Sequence, residues 1–221
     1  PGKRSPTQAD VARRAAVSQA LVSYVLNNHP AVSIPEETRQ RILEAAAELN
    51  YVPNRAARSL RTRKTLTLAA VIPDITNPFY PAFIRGIQDV AEINGYDVIT
   101  YNTDGIEAKE LKAFRSVRQG WVDGAILVTF HVSPAMVASL AEAGMAVVVL
   151  APNEPAWVEH GIDNVMVDNV AAARAAVEYL IARGHTRIGM IAGMAGTPPR
   201  EYRVQGYREA LAAHDLPLDE I

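Results

Sequence analysis

Residues 7–27, TQADVARRAAVSQALVSYVLN, read as two short helices parted by a tight turn, and their outward side chains are of types that can meet double-stranded nucleic acid. In the second helix Leu21, Val22 and Val25 form an inner face, while Gln19, Ala20, Ser23 and Tyr24 fall on other faces. A glutamine amide can pair bidentately with adenine, and an alanine methyl can touch a thymine methyl. A tyrosine can hydrogen-bond or stack. Thr7 and Ser18 stand at the helix starts as N-caps, where backbone N–H groups also suit a phosphate. Enzymatic constellations are missing: there is no P-loop, no G-x-G-x-x-G fingerprint and no Ser/His/Asp set. Asp123 and Asp168 lie in different units, each with a structural use at a strand or helix end. The five histidines are scattered and cysteine is absent, so neither a metal nor another cofactor is expected.

The elements that must hold these residues are set by periodicity. Thr7 with Asp10 forms a weak capping box for a first helix over 8–15, with Val11, Ala12 and Ala15 on one face. Ala16-Val17 turns the chain, and Ser18 caps the second helix, 19–26. A pair this short buries little, so a third helix is required. Ser33-Ile34-Pro35-Glu36 supplies a Ser-x-x-Glu capping box for it, and Ile42, Ala45, Ala46 and Leu49 carry its stripe. Pro53 stops it, and residues 53–60 form a further short helix candidate.

Charge is divided between the two ends. Residues 1–65 hold 11 Lys/Arg and 5 Asp/Glu, whereas residues 66–221 hold 11 Lys/Arg and 19 Asp/Glu. A basic head on an acidic body implies a polyanionic partner for the head alone, and contradicts a protein that coats DNA nonspecifically along its length. No apolar run is long enough to span a membrane and the N-terminus lacks a signal peptide's apolar stretch, so a cytoplasmic, nucleoid-associated protein without membrane contact is expected.

From residue 66 the pattern alternates strand and helix. Strands are expected at Leu66–Ile72, Tyr96–Asn102, Gly124–Phe130, Ala146–Leu150, Val165–Asp168 and Arg187–Ala192. Helices are expected at Phe79–Asn94, Glu107–Gln119, Pro134–Ala143, Asn169–Arg183 and Glu201–His214. Such alternation means βαβ units and parallel sheet, with the loop at 151–164 as the break between two sheets.

The chain resembles the LacI/GalR family of bacterial transcriptional regulators. The head carries the resemblance through Thr7, Asp10-Val11-Ala12, Ala15, Val17-Ser18, Val22-Ser23, Val25-Leu26-Asn27, Val32-Ser33, Thr38-Arg39, Ile42, Leu49 to Asn54, and Ala57 to Leu60. The body adds Val71 to Asp74, Asn77-Pro78-Phe79, Val122-Asp123-Gly124, Val167-Asp168-Asn169, Gly184 to Ile188, Gly193, and Arg203-x-x-Gly206-Tyr207. Two departures stand out. Ala16 replaces the family's usual turn glycine, so the turn must avoid positive φ or accept strain. Family members are also roughly half as long again, so the chain resembles an N-terminal portion.

The resemblance implies a small all-α helix-turn-helix head on an α/β body like the periplasmic binding proteins, with two parallel-sheet lobes of which the second is incomplete. Residues 1–52 would be the head, 53–65 the hinge helix and linker, 66–150 the first lobe and 151–221 part of the second. Gln19, Ala20 and Tyr24 would read bases, with Thr7, Ser18, Ser23 and Asn27 on phosphates. In the hinge, Leu60 would wedge into the minor groove, the small Ala56 and Ala57 would let two hinges approach, and Asn54, Arg55, Arg58 and Arg61 would grip backbone or groove. Ligands of such sheets sit at the carboxyl ends of strands, which selects Asp74, Asn77, Phe79 and Thr129 for a small-molecule effector, a sugar or nucleoside, and Arg203 matches the family's ligand-binding arginine. Ala151 stands where some sugar-responsive members have an aspartate. The expected function is an effector-responsive repressor, homodimeric on a near-palindromic operator. An activator or dual regulator is the alternative, ahead of a solute-binding protein or an α/β enzyme.

Overall fold

The computed structural model describes residues 5–27, 32–53, 59, 62–151 and 155–218. The chain divides into two compact units, residues 1–65 and 66–221.

In the first unit, α1 (Gln8–Ala15), α2 (Gln19–Leu26) and α3 (Glu36–Glu48) pack around Val11, Ala15, Val22, Val25, Ile42 and Ala45. The capping box of α1 is complete: Thr7 Oγ1 accepts from the Asp10 N–H at 3.4 Å, and Thr7 N–H donates to Asp10 Oδ2 at 2.9 Å. Ser18 Oγ accepts from the Leu21 N–H at 3.2 Å and caps α2. Ala16 takes the left-handed conformation, φ 55° and ψ 45°, so the turn keeps the geometry usual for glycine. The Ser33 capping box is not formed. Pro35 is the N-cap of α3, with φ −53° and ψ 138°, and no side chain caps the helix. The proline places the helix start two residues later than the sequence pattern implied, beyond reach of the Ser33 hydroxyl. The helix expected over 53–60 lies largely outside the described residues.

The second unit is built on a five-stranded parallel sheet of order β2-β1-β3-β4-β5: β1 (Thr67–Ile72), β2 (Asp97–Asn102), β3 (Gly124–Leu127), β4 (Ala146–Leu150) and β5 (Asp163–Val165). Four helices join successive strands, α4 (Phe79–Ile93), α5 (Glu107–Val117), α6 (Pro134–Glu142) and the short α7 (Pro155–Glu159). Ala69, Val71, Phe114, Leu127, Leu140 and Val149 anchor one core layer, and Ala70, Ile72, Tyr80 and Ile84 the other. This is the expected α/β body, with two corrections at its end. The strand expected at Val165–Asp168 occurs as Asp163–Val165 and pairs with β4, so it extends the first sheet and moves the sheet boundary beyond 151–164. Residues 187–192 form no strand: among the described residues no neighbouring strand supplies hydrogen bonds, and Ile191 is fully exposed.

Beyond β5 the chain forms the packed pair α8 (Asn169–Ala182) and α9 (Pro198–Ala213). Asp168 caps α8, its Oδ1 accepting from the Ala171 N–H at 2.8 Å. A Cβ on Gly206 would lie 2.1 Å from the Val170 carbonyl oxygen, so only glycine lets α9 sit this close to the first turn of α8. Helix α9 starts three residues earlier than expected, with Thr197 as N-cap and prolines in its first two positions, where their fixed φ suits a helix start.

Candidate nucleic-acid interface and effector cavity

In the head, burial of Val22 and Val25 against α1 and α3 turns Gln19, Ala20 and Tyr24 outward, with Tyr24 38% exposed. Ser18 is exposed beside them, and Thr7 and Asn27 are half-buried. Ser23 does not join the outward face. It is buried, and its hydroxyl accepts from Asn27 Nδ2 at 3.3 Å. Among the described head arginines, Arg13 pairs with Asp10 at 3.1 Å, Arg14 with Glu48 at 2.6 Å and Arg39 with Glu36 at 3.8 Å. The Thr7 hydroxyl, then the Thr7 N–H, holds the Asp10 carboxyl below its usual range, with Arg13 adding to this. The hinge residues Asn54, Arg55, Ala57, Arg58 and Leu60 lie outside the described residues.

In the body, the strand order reverses direction at β1, whose neighbours are β2 and β3. A crevice outside the carboxyl ends of the strands is expected there, and a cavity of about 670 Å³ occupies it. Its wall takes residues from the end of every strand from β1 to β4: Asp74, Gly105, Thr129 and Ala151 among them. The start of α9 provides the facing wall with Thr197, Arg200 and Arg203. All five residues selected from the sequence for an effector, Asp74, Asn77, Phe79, Thr129 and Arg203, line this cavity.

Asp74, Asn77, Phe79 and Arg203 are each positioned by identifiable contacts. Asp74 Oδ1 accepts from the Thr76 N–H at 2.8 Å and its hydroxyl at 2.7 Å, and Asn77 Oδ1 accepts from the Phe79 N–H at 3.1 Å. Turn chemistry and cavity lining therefore coincide in these two residues. Phe79 is 51% exposed, which rules out an ordinary core role. Its ring stacks on Phe83 at 5.9 Å and meets Tyr80 edge-on at 5.1 Å, leaving it fixed for stacking on a ligand ring. Burial raises the Tyr80 hydroxyl above the usual tyrosine range, while nearby Arg203 lowers it and Asp74 raises it. Arg203 Nε donates to Asn169 Oδ1 at 2.7 Å, which aims the guanidinium across the start of α8.

Several contributors were not selected from the sequence. Asp104, after β2, lines the cavity and pairs with Lys109. The Lys109 and Asn102 bonds hold its carboxyl below the usual range. Glu110 is buried, and its carboxylate accepts from the Phe130 N–H at 3.0 Å and the His131 N–H at 2.9 Å, fixing the loop after β3. Asn169 and Arg200 were also missed. Asp123 is structural: Oδ2 accepts from the Leu66 N–H at 2.9 Å.

Comparison with known proteins places both units in known families. Residues 65–221 match the family described as periplasmic binding proteins and sugar binding domain of LacI family, and residues 7–54 match bacterial regulatory proteins, lacI family. The chain is 37% identical over 210 residues to catabolite control protein A of Priestia megaterium, covering 95% of this chain and 62% of that protein. It is 39% identical over 213 residues to the HTH-type transcriptional regulator RegA of Clostridium acetobutylicum, covering 96% and 63%. Among solved structures, the transcriptional regulator CelR–cellobiose complex aligns with a TM-score of 0.56 and 30% identity over 97% of this chain and 64% of that one. The chain thus spans under two thirds of the length of these relatives.

Proposed function

Because the chain belongs to the LacI family of bacterial regulatory proteins, we propose that it is a sequence-specific DNA-binding transcriptional regulator. In this reading it is an effector-responsive repressor that works in the cytoplasm as a homodimer on a near-palindromic operator. The observation that carries the reading is the coexistence, in one chain, of an outward-facing Gln19-Ala20-Tyr24 set on the second helix of a helix-turn-helix and a ligand-sized cavity at the switch point of a parallel sheet.

Residues 1–52 form the DNA-binding head in this proposal and 53–65 the hinge, with the first effector lobe running from 66 through β5. Gln19, Ala20 and Tyr24 read base edges, while Thr7, Ser18 and Asn27 take phosphates. Leu60 wedges into the minor groove, flanked by Asn54, Arg55, Ala57 and Arg58. The effector is a sugar or nucleoside held by Asp74, Asn77, Phe79, Thr129 and Arg203, and the naming of cellobiose in the CelR complex supports the sugar class. Its binding shifts the population of body conformations, and hence of hinge conformations, by its differential affinity for them. Self-association is supported by the apolar outer side of α4, where Val90 and Ile93 are 63% and 85% exposed beside a groove lined by Phe83 and Ile87.

Selection of random double-stranded DNA by the full-length protein tests the function. A two-fold symmetric consensus supports it, and enrichment of no sequence would reject it.

A further inference from the structure

We propose that the cavity takes an effector bearing an anionic group, a sugar phosphate or a sugar acid, whose oxyanion lies between Arg200 and Arg203. This rests on the effector-cavity reading above and narrows it to a ligand class. The two arginines sit three residues apart in the first turns of α9, a spacing that puts them on one side of the helix, and both line the cavity.

Their hydrogen-bond state argues for a missing acceptor. Among the described residues only two buried side-chain nitrogen or oxygen atoms have no partner, Trp157 Nε1 and Arg200 Nε. The indole belongs to the core around β4, whereas Arg200 lines the cavity. Glu201 Oε1 accepts from Arg200 Nη1 at 2.7 Å in an ion pair that holds the guanidinium by one edge and leaves Nε without an acceptor. Arg203 is held by Asn169, a neutral acceptor that orients the group without compensating its charge. Burying a donor without an acceptor is unfavourable, and a planar guanidinium suits an oxyanion bidentately.

The backbone cannot do this in place of the side chains. Helix starts bind anions through free N–H groups, but the first two positions of α9 are Pro198 and Pro199. The next two N–H groups, of Arg200 and Glu201, already donate to the Thr197 carbonyl at 3.0 and 3.2 Å. Anion recognition at this wall therefore falls to the two side chains. The facing wall offers acceptors instead. Asp74 is bound to Thr76 through Oδ1, and Asp104 is neutralised by Lys109, so that side suits the hydroxyls of a polyol. A polyol with one anionic end matches this polarity.

The test is calorimetric titration of the full-length protein with glucose, glucose 6-phosphate, gluconate, ribose and ribose 5-phosphate. The expected result is that at least one anionic member of a pair binds about tenfold or more tightly than its neutral counterpart, the gain of a charge-assisted pair. The Arg200→Gln variant should remove most of that ratio, and Arg200→Lys, which keeps the charge, should remove less. A preference for the phosphates over gluconate, or the reverse, identifies the source of the oxyanion. Equal binding of neutral and anionic members, or a ratio unchanged in Arg200→Gln, overturns the proposal while leaving the cavity reading intact. Binding of none of the five overturns both.

Discussion

Replacing Gly206 with alanine tests how the effector wall is assembled. The added Cβ would stand 2.1 Å from the Val170 oxygen, 2.9 Å from its carbonyl carbon and 3.1 Å from the Arg174 nitrogen. All three are backbone atoms of α8, so relief comes only by parting the helices by about 1 Å, and a densely packed pair resists this. Overpacking of this kind costs about 1–3 kcal/mol, which lowers the melting temperature by about 2–4 °C per kcal/mol in a unit of this size. The same displacement stretches the bond from Arg203 Nε to Asn169 Oδ1, now 2.7 Å, to roughly 3.7 Å, beyond hydrogen-bond reach. Loss of an oriented charged donor then weakens effector binding by about ten- to hundredfold. Thermal denaturation by circular dichroism, with calorimetric titration of a cavity ligand, reads both effects. A Gly206→Ala protein with unchanged melting and unchanged ligand affinity would refute the close-packing argument.

The head and hinge give three further expected outcomes. Ala16→Gly should stabilise the head by about 0.5–1 kcal/mol, because relief of an αL alanine at about 1–2 kcal/mol exceeds the extra chain entropy of glycine; slower amide exchange in α1 and α2 would show it, and faster exchange would contradict it. Asp10 has a lowered pKa through Thr7, so its contribution is present above the ordinary carboxylate range and is lost as pH falls through its folded-state value. Asp10→Asn should flatten the acid limb of head unfolding, and an unaltered acid limb would remove the carboxylate from the cap. Leu60→Ala should weaken operator binding far more than nonspecific binding at matched salt, as a lost minor-groove wedge would; equal losses would sink that role.

Much of the fold and the cavity was legible in the sequence because local chemistry wrote it there. Thr7 and Ser18 cap helices through bonds that span three residues, and Asp74 and Asn77 make their turns within their own loop. Ser33 misled because the pattern ignores how a proline at 35 shifts the helix start. Ser23 misled because helical repeat sets it away from the Leu21, Val22 and Val25 face, yet it is buried in the packed head. The strand expected at 187–192 requires partners that a local pattern does not reveal. Two of the missed residues depend on distant segments. Glu110 reads as a solvated residue of an acidic helix turn until its bonds to Phe130 and His131 are seen. Asn169 acts through a side chain 34 positions away. Arg200 was hidden because 193–199 reads as loop, whereas the helix starts at Pro198.

In the proposed function α2 reads base edges through the side chains the head core turns outward. The most direct test repeats the DNA selection with Gln19→Ala and Tyr24→Ala proteins. Each variant should change the preferred base at specific, symmetry-related positions while leaving the rest of the consensus in place. The same consensus recovered from both variants as from the parent protein would contradict it.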